Sequence, residues 1–154
     1  MYFQNKEEIF SAVIEKESKR IIFELRNIVV SRDVGAEEKL ESFFIERTRL
    51  ILDLMKNRVA LKNTYQENFN IIEKVRVILD KGEIDLLYNI LTEGKEQNVF
   101  LVEKPLITAH YIHIILKGLE FELIKGKSQH YEEQVIDMLN IILKGLLKNK
   151  TKTS

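Results

Sequence analysis

Apolar residues recur at three- and four-residue spacing along most of the chain, the period of an α-helix with one buried face. From Asn5 to about Val30 they are Ile9, Phe10, Val13, Ile14, Ile21, Leu25 and Ile28. This pattern predicts a long first helix. Asn5 is its candidate N-cap, with Glu7 and Glu8 in a first turn whose dipole favours anions. Ser31-Arg32-Asp33-Val34-Gly35 reads as a turn. A second helix is predicted from Ala36 to near Asn57, with Leu40, Phe43, Phe44, Leu50, Ile51 and Leu54 on one broad face. Leu61 to Tyr65 reads as a short connection, and Phe69, Ile71, Ile72, Val75, Ile78 and Leu79 mark a third helix. Gly82 either caps that helix after Lys81 or kinks one that continues through Leu86, Leu87, Ile90 and Leu91. Gly94 is a second C-cap candidate.

The last two predicted helices have a different pattern. Pro105 stands at a favourable first-turn position. From there to Lys125, apolar residues occupy nearly the whole circumference: Leu106, Ile107, Ala109, Ile112, Ile114, Ile115, Leu116, Leu119, Phe121, Leu123 and Ile124. Tyr131 to about Lys148 is similar, with Val135, Ile136, Met138, Leu139, Ile141, Ile142, Leu143, Leu146 and Leu147. A surface helix of a monomer needs only one apolar stripe. The surplus predicts pairing with the same two helices of a second chain in an isologous four-helix bundle. Ile112, Ile115, Gly118, Leu119, Leu139, Ile142 and Leu146 are the candidate dimer interface, where Gly118 and Gly145 would permit close backbone approach. The alternative is that both helices form the centre of one chain's own bundle.

Composition sharpens the class. A chain of 154 residues suits one domain with a sizeable core. With six Gly and one Pro there are few helix breakers, and the predicted fold class is all-α, a helical bundle. Lys+Arg and Asp+Glu are both 24, so the formal net charge is zero. A domain that grips a phosphate backbone is usually visibly basic, so these residues are not expected to bind nucleic acid by themselves. The absence of cysteine excludes a disulfide framework and thiolate metal sites, and is compatible with a reducing cytoplasm. The N-terminus is charged and amphipathic, unlike a secretory signal. Lys or Glu interrupts each apolar stretch within a few turns, so no membrane partner is expected.

Candidate chemistry is sparse. His110 and His113 loosely share a helical face, and with Glu120 they sketch a metal site. One helix cannot close around an ion without ligands from elsewhere, so no metal and no cofactor are expected. Such histidines are more often core or interface residues satisfied by hydrogen bonds. His130 precedes the last helix and reads as solvated. The chain has no Gly-rich phosphate loop, nucleophile elbow or paired-carboxylate signature, and an enzyme is not expected. Two arginines interrupt apolar stripes: Arg47 among Leu40, Phe44, Ile51 and Leu54, and Arg76 among Phe69, Ile72 and Leu79. An arginine there is costly unless it is paired or lines a polar cavity. Either they reach into a ligand pocket between helices, lined by Arg47, Tyr65, Phe69, Arg76 and Tyr88, or they snorkel or pair with Glu46, Glu73 or Glu67.

Tyr2-Phe3-Gln4-Asn5-Lys6-Glu7-Glu8-Ile9-Phe10 resembles the end of the DNA-binding domain of TetR-family transcriptional regulators. There an aromatic pair, a short turn and a Glu-Glu-Leu-Phe-like start lead from the helix-turn-helix into the regulatory domain. Gly94-Lys95-Glu96-Gln97-Asn98-Val99-Phe100 is similar to the family's loop after a helix ending in Gly, with Asn98 where Gly is more usual. Asn is the non-Gly residue best suited to a left-handed backbone. Leu116-Lys117-Gly118-Leu119-Glu120 resembles the end of the family's penultimate helix. The resemblance implies a remnant of the reader domain over 1–10, a regulatory and dimerisation domain over 11–150 and a disordered tail over 151–154. About three further helices, including the recognition helix, would precede it. Tyr2 and Lys6 would be remnants of DNA-backbone contacts. The implied function is a cytoplasmic homodimer whose small-molecule effector controls DNA readers allosterically, with DNA bound only through those preceding helices. The competing expectation is a helical dimeric scaffold with no effector.

Overall fold

Asn5 opens the first helix as expected. Its side-chain Oδ1 accepts from the Glu8 amide at 2.9 Å, satisfying one of the donors a helix start leaves free. The structure, a computed structural model, describes residues 5–57, 67, 69–126 and 129–148. Helix α1 (Lys6–Val29) buries Phe10, Ile14, Ile21, Ile22 and Leu25, the inward face of its apolar stripe. Helix α2 (Ala36–Asn57) buries Leu40, Phe43, Phe44, Leu50, Ile51 and Leu54. Lys39, at 4% exposure, donates to the Val29 carbonyl at 2.9 Å and pairs with Glu93. It therefore satisfies a carbonyl at the C-terminus of α1 and ties α1 and α2 to a third element.

The break after the middle apolar run falls at Arg76, giving α3 (Phe69–Val75) and α4 (Val77–Glu96). Gly82, a candidate cap, lies inside α4 instead. A Cβ there would come 2.6 Å from Ile22 Cδ1, so its missing side chain serves the packing of α1 on α4. Gly94 also lies inside α4, which runs on to Glu96. The ring of Phe100 fills the space beside it, where a Cβ would sit 2.0 Å from Cδ2. The left-handed residue that reverses the chain is Asn98, at φ 59°. The Val99 and Phe100 amides then both donate to the Gly94 carbonyl. The predicted connection Leu61–Tyr65 lies outside the described residues.

Pro105 is the first residue of α5 (Pro105–Ile124), and α6 (Tyr131–Leu146) closes the bundle. Helix α4 is central, packing on α1, α2, α3 and α5, while α6 packs on α2 and α5. The Leu101 amide donates to the Leu146 carbonyl at 2.6 Å and the Lys148 amide to the Val99 carbonyl at 3.1 Å, pinning the end of α6 to the 97–104 loop. One continuous core runs from Phe10 to Leu146. The architecture is all-α, with no strand among the described residues. No helix among them is long and apolar enough to cross a membrane.

The two C-terminal helices divide their apolar residues between two faces. Ala109, Ile112, Leu116 and Ile124 of α5 and Val135, Leu139, Leu143 and Leu146 of α6 enter the chain's own core. Leu106, Ile107, Tyr111 and Ile114 of α5 and Ile136 and Ile141 of α6 are exposed. Of the candidate interface residues, Ile112, Leu139 and Leu146 are therefore buried within the chain. Ile115, Leu119 and Ile142 are half-buried, and Gly118 is exposed. The outward face is carried instead by Tyr111, Ile114 and Ile141, each more than 60% exposed.

Candidate functional site

Arg47 projects from the middle of α2 into the core, where it is fully buried. Its Nε donates to Glu83 of α4, and its Nη2 lies 3.5 Å from Glu120 Oε2 of α5. Arg76, between α3 and α4, pairs through Nη1 with the same Glu120 oxygen at 2.6 Å and through Nε with Asp80 at 3.3 Å. His113 of α5 brings Nδ1 to 2.8 Å from Glu83 and Nε2 to 3.3 Å from Asp80. Lys117 bridges Asp80 and Glu73, each at 2.9 Å. Glu46 and Arg49 bond to each other on the outer face of α2. Both arginines are thus paired in the core, and their named partners come from α4 and α5.

These side chains form a ladder between two helices. Arg76, just before α4, and Asp80 and Glu83 within it lie four and three residues apart, and His113, Lys117 and Glu120 repeat that spacing on antiparallel α5. Glu83 meets His113, Asp80 meets His113 and Lys117, and Arg76 meets Glu120. Arg47 reaches in from α2 to touch the Glu83 and Glu120 ends together.

The field of each charge fixes its neighbours. Burial raises the Glu83 carboxyl, but Arg47 and His113 overcome it and hold the group below the usual carboxylate range. Asp80 behaves likewise under His113, Arg76 and Lys117. Burial lowers the His113 imidazole, and its two carboxylates more than reverse this, so it stands above its ordinary value. Tyr131, at the start of α6, is pushed up to about 12 by burial. Asp80, Glu83, His113 and Lys117 are each held by at least two partners of opposite charge, which ties α4 to α5 through ion pairs.

A cavity of about 30 Å³ adjoins this network, with Glu17 and Ser18 of α1, Arg76 and Glu120 among its walls. It has room for one or two waters and lies an order of magnitude below the roughly 300 Å³ of a ligand pocket. A wider concavity of about 340 Å³ opens on the surface between α2 and α6, bordered by Ile45, Thr48, Arg49, Leu52, Glu132 and Ile136. Of the pocket candidates, Arg76 borders the inner cavity. Arg47 is bound in the ladder, and Tyr88 is 39% exposed on α4. Phe69 opens α3, but its side chain lies outside the described residues, as do Tyr65 and Tyr2. Lys6 is exposed at the first position of α1. His110 and His130 are exposed, and no metal-holding cluster of His, Asp and Glu occurs among the described residues.

Asp80 and Glu83 escaped the sequence reading, although a signal existed: two sets of ionisable residues repeating at four- and three-residue spacing inside apolar helices. Such spacing puts charge on the face that must pack, which demands a partner. No family model, curated protein or solved structure matches the chain.

Proposed function

We propose that this chain is the effector-sensing and dimerisation part of a TetR-like transcriptional regulator. The observation that carries the reading is the outward apolar face of α5 and α6, with Tyr111, Ile114 and Ile141 each more than 60% exposed on the two helices where such a dimer would form. A second copy covering it would make a four-helix bundle and hold two DNA readers at a fixed separation. Helix α1, which would lead from the reader, shares the inner cavity with Arg76 and Glu120. An effector that widened this cavity would move α1 relative to the ladder, and with it the spacing of the readers.

The small size of the cavity favours a second reading, a helical dimeric interaction module with no effector. The reading frame upstream of the Met1 codon separates the two. The regulator reading expects an in-frame helix-turn-helix, and the extended protein should shift a pseudo-palindromic DNA in a gel at physiological salt. A frame closed immediately upstream would overturn that reading and leave the interaction module.

A further inference from the structure

Both ring nitrogens of His113 face carboxylates, Nδ1 at 2.8 Å from Glu83 and Nε2 at 3.3 Å from Asp80. A neutral imidazole has one donor and one acceptor, so one of these contacts would set a lone pair against a carboxylate oxygen. Only the imidazolium donates to both. The charges of the network require the same state. Arg47, Arg76 and Lys117 face Glu73, Asp80, Glu83 and Glu120, three cations against four anions, and a protonated His113 makes the numbers equal. An unbalanced charge at this depth is costly.

We propose that His113 is a proton-operated latch between α4 and α5, closed as the imidazolium and released when the ring loses its proton. Every packed element supplies a charge or titratable group that bears on the ring. Helix α4 supplies Asp80 and Glu83, α2 supplies Arg47, and α3 supplies Glu73 through Lys117. Arg76 lies at the α3–α4 junction, Glu17 of α1 lines the same cavity as Glu120, and Tyr131 of α6 lies in the field of Arg47 and Glu120. On α5 itself, Lys117 and Glu120 follow at one and two turns, and His110 precedes on the exposed side. The carboxylates outweigh the burial of the ring and hold His113 above its ordinary value. A raised folded-state value gives stability that is full below the unfolded value, about 6.5, and is lost as pH rises through the folded one. The latch is therefore closed in mild acid and opens toward alkaline pH.

The test uses the whole chain. The ¹⁵N shifts of the His113 ring should show both nitrogens protonated at pH 6, with the proton lost above the ordinary histidine value. Amide exchange along α5, corrected for intrinsic rates, should quicken across the same transition. The melting temperature should fall over that window by about 3–5 °C for each unit separating the folded and unfolded values. In His113→Gln that fall should vanish. A neutral ring at pH 6 overturns the latch, as does a pH slope shared by the wild type and His113→Gln. If His113→Gln does not fold, the wild-type ring titration and α5 exchange decide alone, and exchange indifferent to the titration overturns the proposal.

Discussion

Replacing Arg47 by Leu should be among the most damaging single changes to this fold. Arg47 and Glu83 are both wholly buried, so the substitution strands a carboxylate that water cannot reach. Glu83 would keep only His113, Glu120 would keep Arg76, and the ladder would carry a net negative charge. Breaking a buried pair from one side costs about 3–5 kcal/mol. Here the cost should lie at the lower end. Arg47 Nη1 and Nη2 make no hydrogen bond among the described residues, so their removal also relieves two unsatisfied donors. A loss of about 3 kcal/mol is a large fraction of a typical folding free energy and corresponds to a drop in melting temperature of roughly 6–12 °C. The double variant Arg47→Leu/Glu83→Leu is the informative comparison. It leaves Arg76, His113 and Lys117 against Glu73, Asp80 and Glu120, three charges of each sign, and should be more stable than Arg47→Leu alone. Urea unfolding followed by circular dichroism, at fixed protein concentration and pH 6, measures both. A cost below about 1 kcal/mol for Arg47→Leu, or a double variant worse than the two single variants combined, would refute the reasoning.

Other outcomes follow from the packing. Gly94→Ala drives a methyl into the buried Phe100 ring and should cost about 1–3 kcal/mol, whereas Gly118→Ala meets nothing within 4 Å in the single chain and should stabilise it by about 0.5–1 kcal/mol in thermal melts. Asn98→Val, forced to φ 59°, should cost about 1–2 kcal/mol in the same melts, and Asn98→Gly should not. Sedimentation equilibrium at micromolar concentration should give twice the chain mass, and Ile114→Glu with Ile141→Glu should return it to one. A monomeric wild type would remove the dimer from the proposed function.

The periodic apolar stripes made the helices readable from the chain because helix burial repeats every three to four residues. Ala36, Asn57, Pro105 and Tyr131 bound elements where the pattern placed them. Asn98 took the left-handed backbone its side chain tolerates. Gly94 misled because two physical roles share one residue: it resembles a helix cap in a string of letters, yet it sits within α4 to admit Phe100. For Gly82 the second of the two readings holds, a helix continuing through Leu86, Leu87, Ile90 and Leu91, with the glycine admitting Ile22. The arginines stood out as charges on apolar stripes, but apart from Asp80, four residues from Arg76, their partners lie far along the chain. Arg47 is 36 residues from Glu83, a separation that no local pattern spans. Three candidate interface residues, Ile112, Leu139 and Leu146, turn into the chain's own core, which the sequence did not reveal because a helix apolar all round carries almost no angular signal. Contacts with neighbouring helices settle which way Ile112 and Ile114 point.

The order of charges along α4 and α5 also decides how the two helices align lengthwise. Apolar helices of this kind can slide past each other by a turn with little change in buried area, because one leucine fills a groove much as the next does. The ladder forbids that slippage. Sliding α5 one turn in one direction would set Asp80 opposite Glu120 and leave Arg76 facing Ile124. Sliding it the other way would oppose Arg76 to Lys117 and leave Glu83 beside Ala109. Either misalignment buries like charges together. The ionic groups therefore select a single register from several that the hydrophobic effect alone would tolerate, a specificity that adds little to stability.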